Sequence, residues 1–143
     1  GDIVIDKDSN IKIIEIATRL SGGWFCSHQI PEATGINLVQ ANIDFAMGKK
    51  IDPLSIIPTK DISTSIRYFF IQEGIIHDIR GESMIKNAPG LIKYDFYKNV
   101  GDYQNKVLKH SDRFGYVICK GRNRDESISN VQNAIKMIEV ILN

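Results

Sequence analysis

Excess charge of one sign, paired cysteines and long apolar runs are all missing from this chain of 143 residues. Lys and Arg number 18 against 17 Asp and Glu, a formal net charge of +1. That balance removes the general electrostatic attraction to nucleic acid or to an anionic membrane surface. The charge is also spread evenly, with 6 basic and 7 acidic residues over 1–60 and 12 and 10 over 61–143, so neither half is a basic or acidic tail. No apolar run approaches the ~20 residues of a membrane span, so no membrane partner is expected. Two cysteines, Cys26 and Cys119, make no disulfide framework and point to a reducing, cytoplasmic setting. The opening Gly1-Asp2-Ile3-Val4-Ile5-Asp6 does not read as a secretory leader, because a basic start and a small-residue cleavage site are lacking. There is no internal repeat and no low-complexity stretch, which sets aside solenoids and linkers.

What is present is enough apolar sequence, 43% hydrophobic residues, for a core of one domain or two small lobes. A β-branched run begins at once with no initiator Met, so the chain is expected to be a piece of a longer protein. Ile3–Ile5 and Ile11–Ile16 read as two strands around the turn-forming Asp6-Lys7-Asp8-Ser9-Asn10, a β-hairpin. Both strands are apolar at nearly every position, as for strands covered on both faces. A glycine-bearing loop, Arg19-Leu20-Ser21-Gly22-Gly23-Trp24, leads to a short helix at 30–34 with Pro31 in its first turn. Asn37 reads as the N-cap of a second helix, with Gln40 three residues on and Gly48 closing it.

Pro53 and Pro58 mark a connection, and a lobe boundary is placed there, giving 1–55 and 56–143. Strands are expected over 63–72, 75–80, 91–97 and 113–119, with a short helix at 81–86. Ile128, Val131, Ile135, Ile138 and Leu142 form a helical stripe, so the last segment reads as one helix. The fold class is therefore α+β: a hairpin with helices, then a small antiparallel-sheet lobe with packed helices.

Asp2 and Glu15 fall at matching ends of the hairpin strands. Two carboxylates side by side repel each other unless a cation lies between them, and hard oxygen ligands of this kind suit Mg²⁺ completed by phosphates. On spacing alone they read more readily as ordinary surface acids at strand ends. Arg19 can clamp a carboxylate or phosphate, and Gly22 and Gly23 let backbone N–H groups approach an anion, although a Gly-Gly pair is also an ordinary turn. Cys26 and His28 are too few for a zinc site and fit packing better. His77 and His110 receive no role. Tyr68, Phe69, Phe70, Tyr94, Phe96 and Tyr97 read as core or sheet-face aromatics, since no basic stripe accompanies them as a base-stacking surface would require.

Taken together, Glu15-Ile16-Ala17-Thr18-Arg19-Leu20-Ser21-Gly22-Gly23, Ile30-Pro31 and Thr34-Gly35-Ile36-Asn37-Leu38-Val39 resemble the end of the ATP-grasp fold in carboxylate–amine ligases. The similarity is closest to L-amino-acid ligase-like and carbamoyl-phosphate synthetase-like proteins. Ser111–Ile118, Gly121 and the helix opening at Asp125-Glu126-Ser127-Ile128 resemble the C-terminal lobe of the same ligases. The resemblance implies an ADP-forming ligase that activates a small-molecule carboxylate as an acyl-phosphate and joins it to an amine, with ATP and Mg²⁺ as cofactors. It implies Asp2 and Glu15 as metal ligands, Arg19 as the catalytic contact to the substrate anion, and Ser21, Gly22 and Gly23 as the cofactor-binding loop. Ala17 departs from the pattern, standing where many members carry a metal-binding Asn. The family's adenine pocket, lysines and lid lie upstream of these motifs, so the isolated chain is expected to be inactive. The alternative is a non-catalytic small-molecule or partner-binding module that keeps the fold. A homodimer through the hairpin is a further expectation.

Overall fold

A computed structural model describes residues 1–143. It opens on an antiparallel hairpin, β1 (Asp2–Ile5) and β2 (Ile11–Glu15). Asp6 builds the turn: its carboxylate accepts from the backbone N–H groups of Asp8 and Asn10, both at 2.9 Å. Those bonds, led by the one from Asn10, hold the Asp6 carboxyl below its ordinary value. The expected cover on both faces is not supplied within this chain. Ile3, Val4, Ile5, Ile11, Ile13, Ile14 and Ile16 are 49–72% exposed.

The loop after Arg19 turns sharply at Trp24, which has the left-handed φ of 69°. A π-helical turn, Phe25–Gln29, follows and runs directly into α1 (Ile30–Thr34). Cys26 is buried there, as its packing role requires, and His28 is half-buried. Gly35, at φ 81°, ends α1 in the left-handed region. α2 (Leu38–Ala46) starts as the capping residues predict, with Asn37 Oδ1 accepting from the Gln40 N–H at 3.0 Å. The connection then returns alongside α1, where Thr59 and Lys60 donate to Thr34 O and Ile62 donates to Ala33 O.

The rest forms two three-stranded antiparallel sheets from β3 (Ser63–Phe69), β4 (Gly74–Arg80), β5 (Leu91–Phe96), β6 (Tyr103–Gln104), β7 (Gly115–Gly121) and β8 (Glu139–Leu142). Their orders are β3-β7-β5 and β6-β4-β8. β7 is the central strand of the first sheet, and Tyr116, Val117, Ile118 and Cys119 on it are fully buried. α3 (Glu82–Ile85) follows β4, and α4 (Arg124–Ile135) lies across β3 and β7. Val131 and Ala134 of α4 join Phe69, Ile76, Ile85, Phe114, Val117 and Cys119 in one core. Ser127 pins α4 to the sheet, its hydroxyl lying 3.0 Å from Ser63 Oγ and 2.9 Å from Ser65 Oγ. Burying the Ser127 hydroxyl costs little here because it has partners.

The last element differs from the sequence expectation. The stripe through Leu142 fits a helix, yet α4 stops at Ile135 and Glu139–Leu142 becomes β8. Glu139-Val140-Ile141-Leu142 is rich in β-branched residues, and β4 has an edge to offer. Pairing Arg80 with Glu139, Ile79 with Val140 and Ile76 with Leu142 satisfies backbone groups that β4 would otherwise leave open. Gly81 makes the approach possible: at φ 95° it lies against the Met137 carbonyl, where a Cβ has no room.

Candidate active site

The hairpin places Asp2 directly opposite Glu15 as cross-strand partners. A bulge follows, since Ile3 already pairs with Ile13, and the extra residue falls beside Glu15. Both acids are exposed, and neither carboxylate takes part in a hydrogen bond or an ion pair. They are the hard-oxygen pair expected from the sequence, but they stand alone. No group of three or more His, Cys, Asp or Glu side chains is placed to hold a metal ion. Cys26 and His28 serve packing instead, with His28 Nδ1 2.8 Å from Ser27 Oγ and its ring edge-on to Trp24. Burial, aided by the Lys93 charge, holds the His28 imidazole below its ordinary pKa.

Beyond the hairpin, Arg19, Gly22 and Gly23 open onto a cleft of about 700 Å³. Its far wall comes from the β3-β7-β5 sheet and its approaches: Tyr68 of β3, Tyr97 just after β5, and His110 and Arg113 just before β7. Ser21 instead borders a smaller neighbouring hollow with Leu20, Cys26 and Val39. The structure thus gathers three of the six expected site residues in one cleft. Ser21 lies next door, and Asp2 and Glu15 stand apart on the hairpin.

Trp24 joins the two walls. Its ring stacks on Tyr116 at 4.9 Å, and its Nε1–H donates to the Tyr97 hydroxyl at 3.3 Å. Lys93 Nζ lies over the same ring, 5.3 Å from its centre. Tyr116 is fully buried, and burial together with the Asp95 charge pushes its phenol up to about 12, so the ring remains neutral. Arg113 lays its guanidinium over the Tyr68 ring, 3.8 Å from the centre. Arg19 makes one long bond, to Leu20 O at 3.4 Å, and no ion pair. The lining holds no Asp or Glu, so the cleft is cationic and suited to an anion.

Gly22 is under no constraint from its own backbone. Its φ is not in the left-handed region, and an added Cβ would meet nothing within 4 Å. Backbone geometry therefore does not require glycine there. Gly23 is different, because its φ of 65° favours glycine on conformational grounds alone. Sequence reasoning missed Trp24, Tyr68, Tyr97, His110 and Arg113 as cleft residues. They are scattered over 90 positions, and no local motif unites them.

Among solved structures the chain is similar to phosphoribosylglycinamide synthetase from Anaerococcus prevotii, at TM-score 0.80 and 21% identity over 99% of this chain. It is similar to L-amino acid ligase from Bacillus licheniformis at TM-score 0.74 and 20% identity, again over 99%. N5-carboxyaminoimidazole ribonucleotide synthetase from Thermotoga maritima follows at TM-score 0.63 and 17% identity over 99%. The chain spans 36% of the length of each of these proteins. No curated protein sequence matches it. The fold is that of the C-terminal part of the ATP-grasp ligases. Residues 67–143, more than half of the chain, match the family L-amino acid ligase C-terminal domain 2, and the chain belongs to that family.

Proposed function

We propose that this chain is the C-terminal part of an ATP-dependent, ADP-forming carboxylate–amine ligase, with a lobe boundary near residues 55 and 56. The observation that carries the reading is the cleft. An unpaired Arg19 and an uncrowded Gly22 face the same open, acid-free space. In this reading Arg19 binds and orients the substrate carboxylate and steadies the negative charge that builds as it becomes an acyl-phosphate. The backbone N–H groups of Ser21, Gly22 and Gly23 hold anionic oxygens, and Trp24 closes the floor against water. An amine then displaces phosphate, giving an amide bond. No protein residue forms a covalent bond to substrate.

Asp2 and Glu15 fit Mg²⁺, because both are hard oxygen donors, adjacent across the hairpin and free of other partners. Mg²⁺ would supply charge neutralisation for ATP phosphates at that place. A pair of carboxylates gives little affinity unless phosphates complete the shell, so the chain alone is expected to be inactive. The two free thiols support a cytoplasmic setting for the whole protein. The exposed apolar hairpin supports self-association of the chain through residues 1–16.

Glu15→Ala and Arg19→Ala in the full-length polypeptide should each abolish most substrate-dependent ADP release, and a loss of only a few-fold would contradict the assigned roles. Gly22→Val should leave the melting temperature unchanged while blocking turnover. Calorimetry should find no micromolar binding of Mg-ATP to the 143-residue chain. Light scattering should give a mass that rises with concentration and falls back to the monomer in Ile3→Lys.

A further inference from the structure

We propose that the cleft takes a substrate bearing two anionic groups, the second held by Arg113 with His110. This rests on the reading of Arg19 as the contact for the reacting carboxylate. The first observation is that two arginines from different parts of the fold line one cleft, Arg19 from the glycine loop and Arg113 from the approach to β7. One anion needs one guanidinium fork, and two separate forks match two anions.

The second observation is that Arg113 has no ionic partner. The chain's five ion pairs engage Lys12, Lys49, Arg80, Lys120 and Arg122, and none of them touches the cleft. Arg113 is half-buried, with its flat face on the Tyr68 ring at 3.8 Å and no hydrogen bond from any of its side-chain nitrogens. A cation withdrawn from water without a counter-charge is costly. The stacking fixes the plane of the group and leaves its N–H edges unbonded. That is how a guanidinium is prepared for a planar, two-point acceptor.

The third observation concerns the surroundings. His110 is exposed on the same wall and adds a second donor. The Tyr97 hydroxyl accepts from Trp24 and keeps its own O–H to give. With no carboxylate in the lining, the wall offers donors almost exclusively. A space of about 700 Å³ accommodates a small molecule that reaches from Arg19 to Arg113. The second anion is a carboxylate or a phosphate, since both accept in the same two-point way.

Trp24 is the only tryptophan and lines the cleft, so its fluorescence reads occupancy directly. The test titrates the chain with butyrate, glutarate and 4-phosphonobutyrate at constant ionic strength. A charge-assisted fork predicts that at least one dianion binds about tenfold or more tighter than butyrate. Whichever of the two binds tighter identifies the second group as carboxylate or phosphate. Arg113→Gln should remove the dianion advantage and bring the three acids to similar affinities, while Arg113→Lys should retain part of it. Equal affinity for all three acids, or an advantage that survives Arg113→Gln, would overturn the proposal. Arg19→Gln should weaken all three. If it leaves butyrate binding unchanged, the assignment of Arg19 fails independently of Arg113. No fluorescence response to any of the acids overturns both.

Discussion

Replacing Trp24 by Ala should separate the glycine loop from the sheet wall and so dismantle the cleft. Trp24 is half-buried and makes four contacts that Ala cannot: a stack on Tyr116 at 4.9 Å, an edge contact with His28 at 5.3 Å, a hydrogen bond to Tyr97 at 3.3 Å and the Lys93 cation at 5.3 Å. An aromatic pair contributes ~0.5–1.5 kcal/mol beyond area burial, and a hydrogen bond a similar net amount. A fully buried Trp→Ala costs ~3–5 kcal/mol, and discounting for the exposed half of this ring gives ~2–3 kcal/mol. For a domain of this size that corresponds to a fall in Tm of ~6–10 °C. Urea denaturation followed by far-ultraviolet circular dichroism measures it without relying on the lost fluorophore. Two controls sharpen the result. Trp24→Phe should keep the stack and lose only the Nε1 bond, costing ~1 kcal/mol. Trp24→Gly should be less destabilised than Trp24→Ala by ~1 kcal/mol, because the backbone at φ 69° suits glycine. A Trp24→Ala protein within ~0.5 kcal/mol of wild type would show that the loop is not docked on the β3-β7-β5 sheet, and the cleft would lose its floor.

Gly81→Ala should destabilise by ~2 kcal/mol or more, because the methyl would run into the Met137 carbonyl at a residue of φ 95°, with thermal unfolding as the readout. Cys119 is fully buried and its thiol is pushed up to about 11, and Cys26 is also buried. Both should resist a thiol reagent in the native protein and react together once urea unfolds it, and rapid native labelling of Cys119 would refute its place in the core. His28 is held below its ordinary value of 6.5, chiefly by burial, so the fold disfavours the imidazolium. Its contribution is full above pH 6.5 and is lost as pH falls through the lower folded value, a slope that His28→Gln should flatten in urea titrations.

Local chemistry made much of the architecture legible. Asp6 and Asn10 wrote the hairpin turn, Asn37 capped α2, and the motifs around Glu15 and Arg19 led to the ATP-grasp resemblance that the family match then supported. These features depend on neighbours a few residues apart, and the chain carries that information directly. The end of α4 was not legible in this way. Ile138 and Leu142 continue a helical period, and only the presence of β4 beside them makes a strand the better solution.

The cleft divides along the same line. Sequence alone supplied the arginine and glycines of the loop, residue types that can meet an anion. Tertiary structure decided what faces them. Tyr68, Tyr97, His110 and Arg113 reach the cleft through β3, β5 and β7, whose pairing brings residues tens of positions apart to one wall. It also decided that Arg113 lies on an aromatic ring without a carboxylate, and that Gly22 has space it does not need for its own backbone. The physical reason is that ring stacking, strand pairing and the counting of charges in a cleft are properties of contacts across the chain, and no window along it contains them.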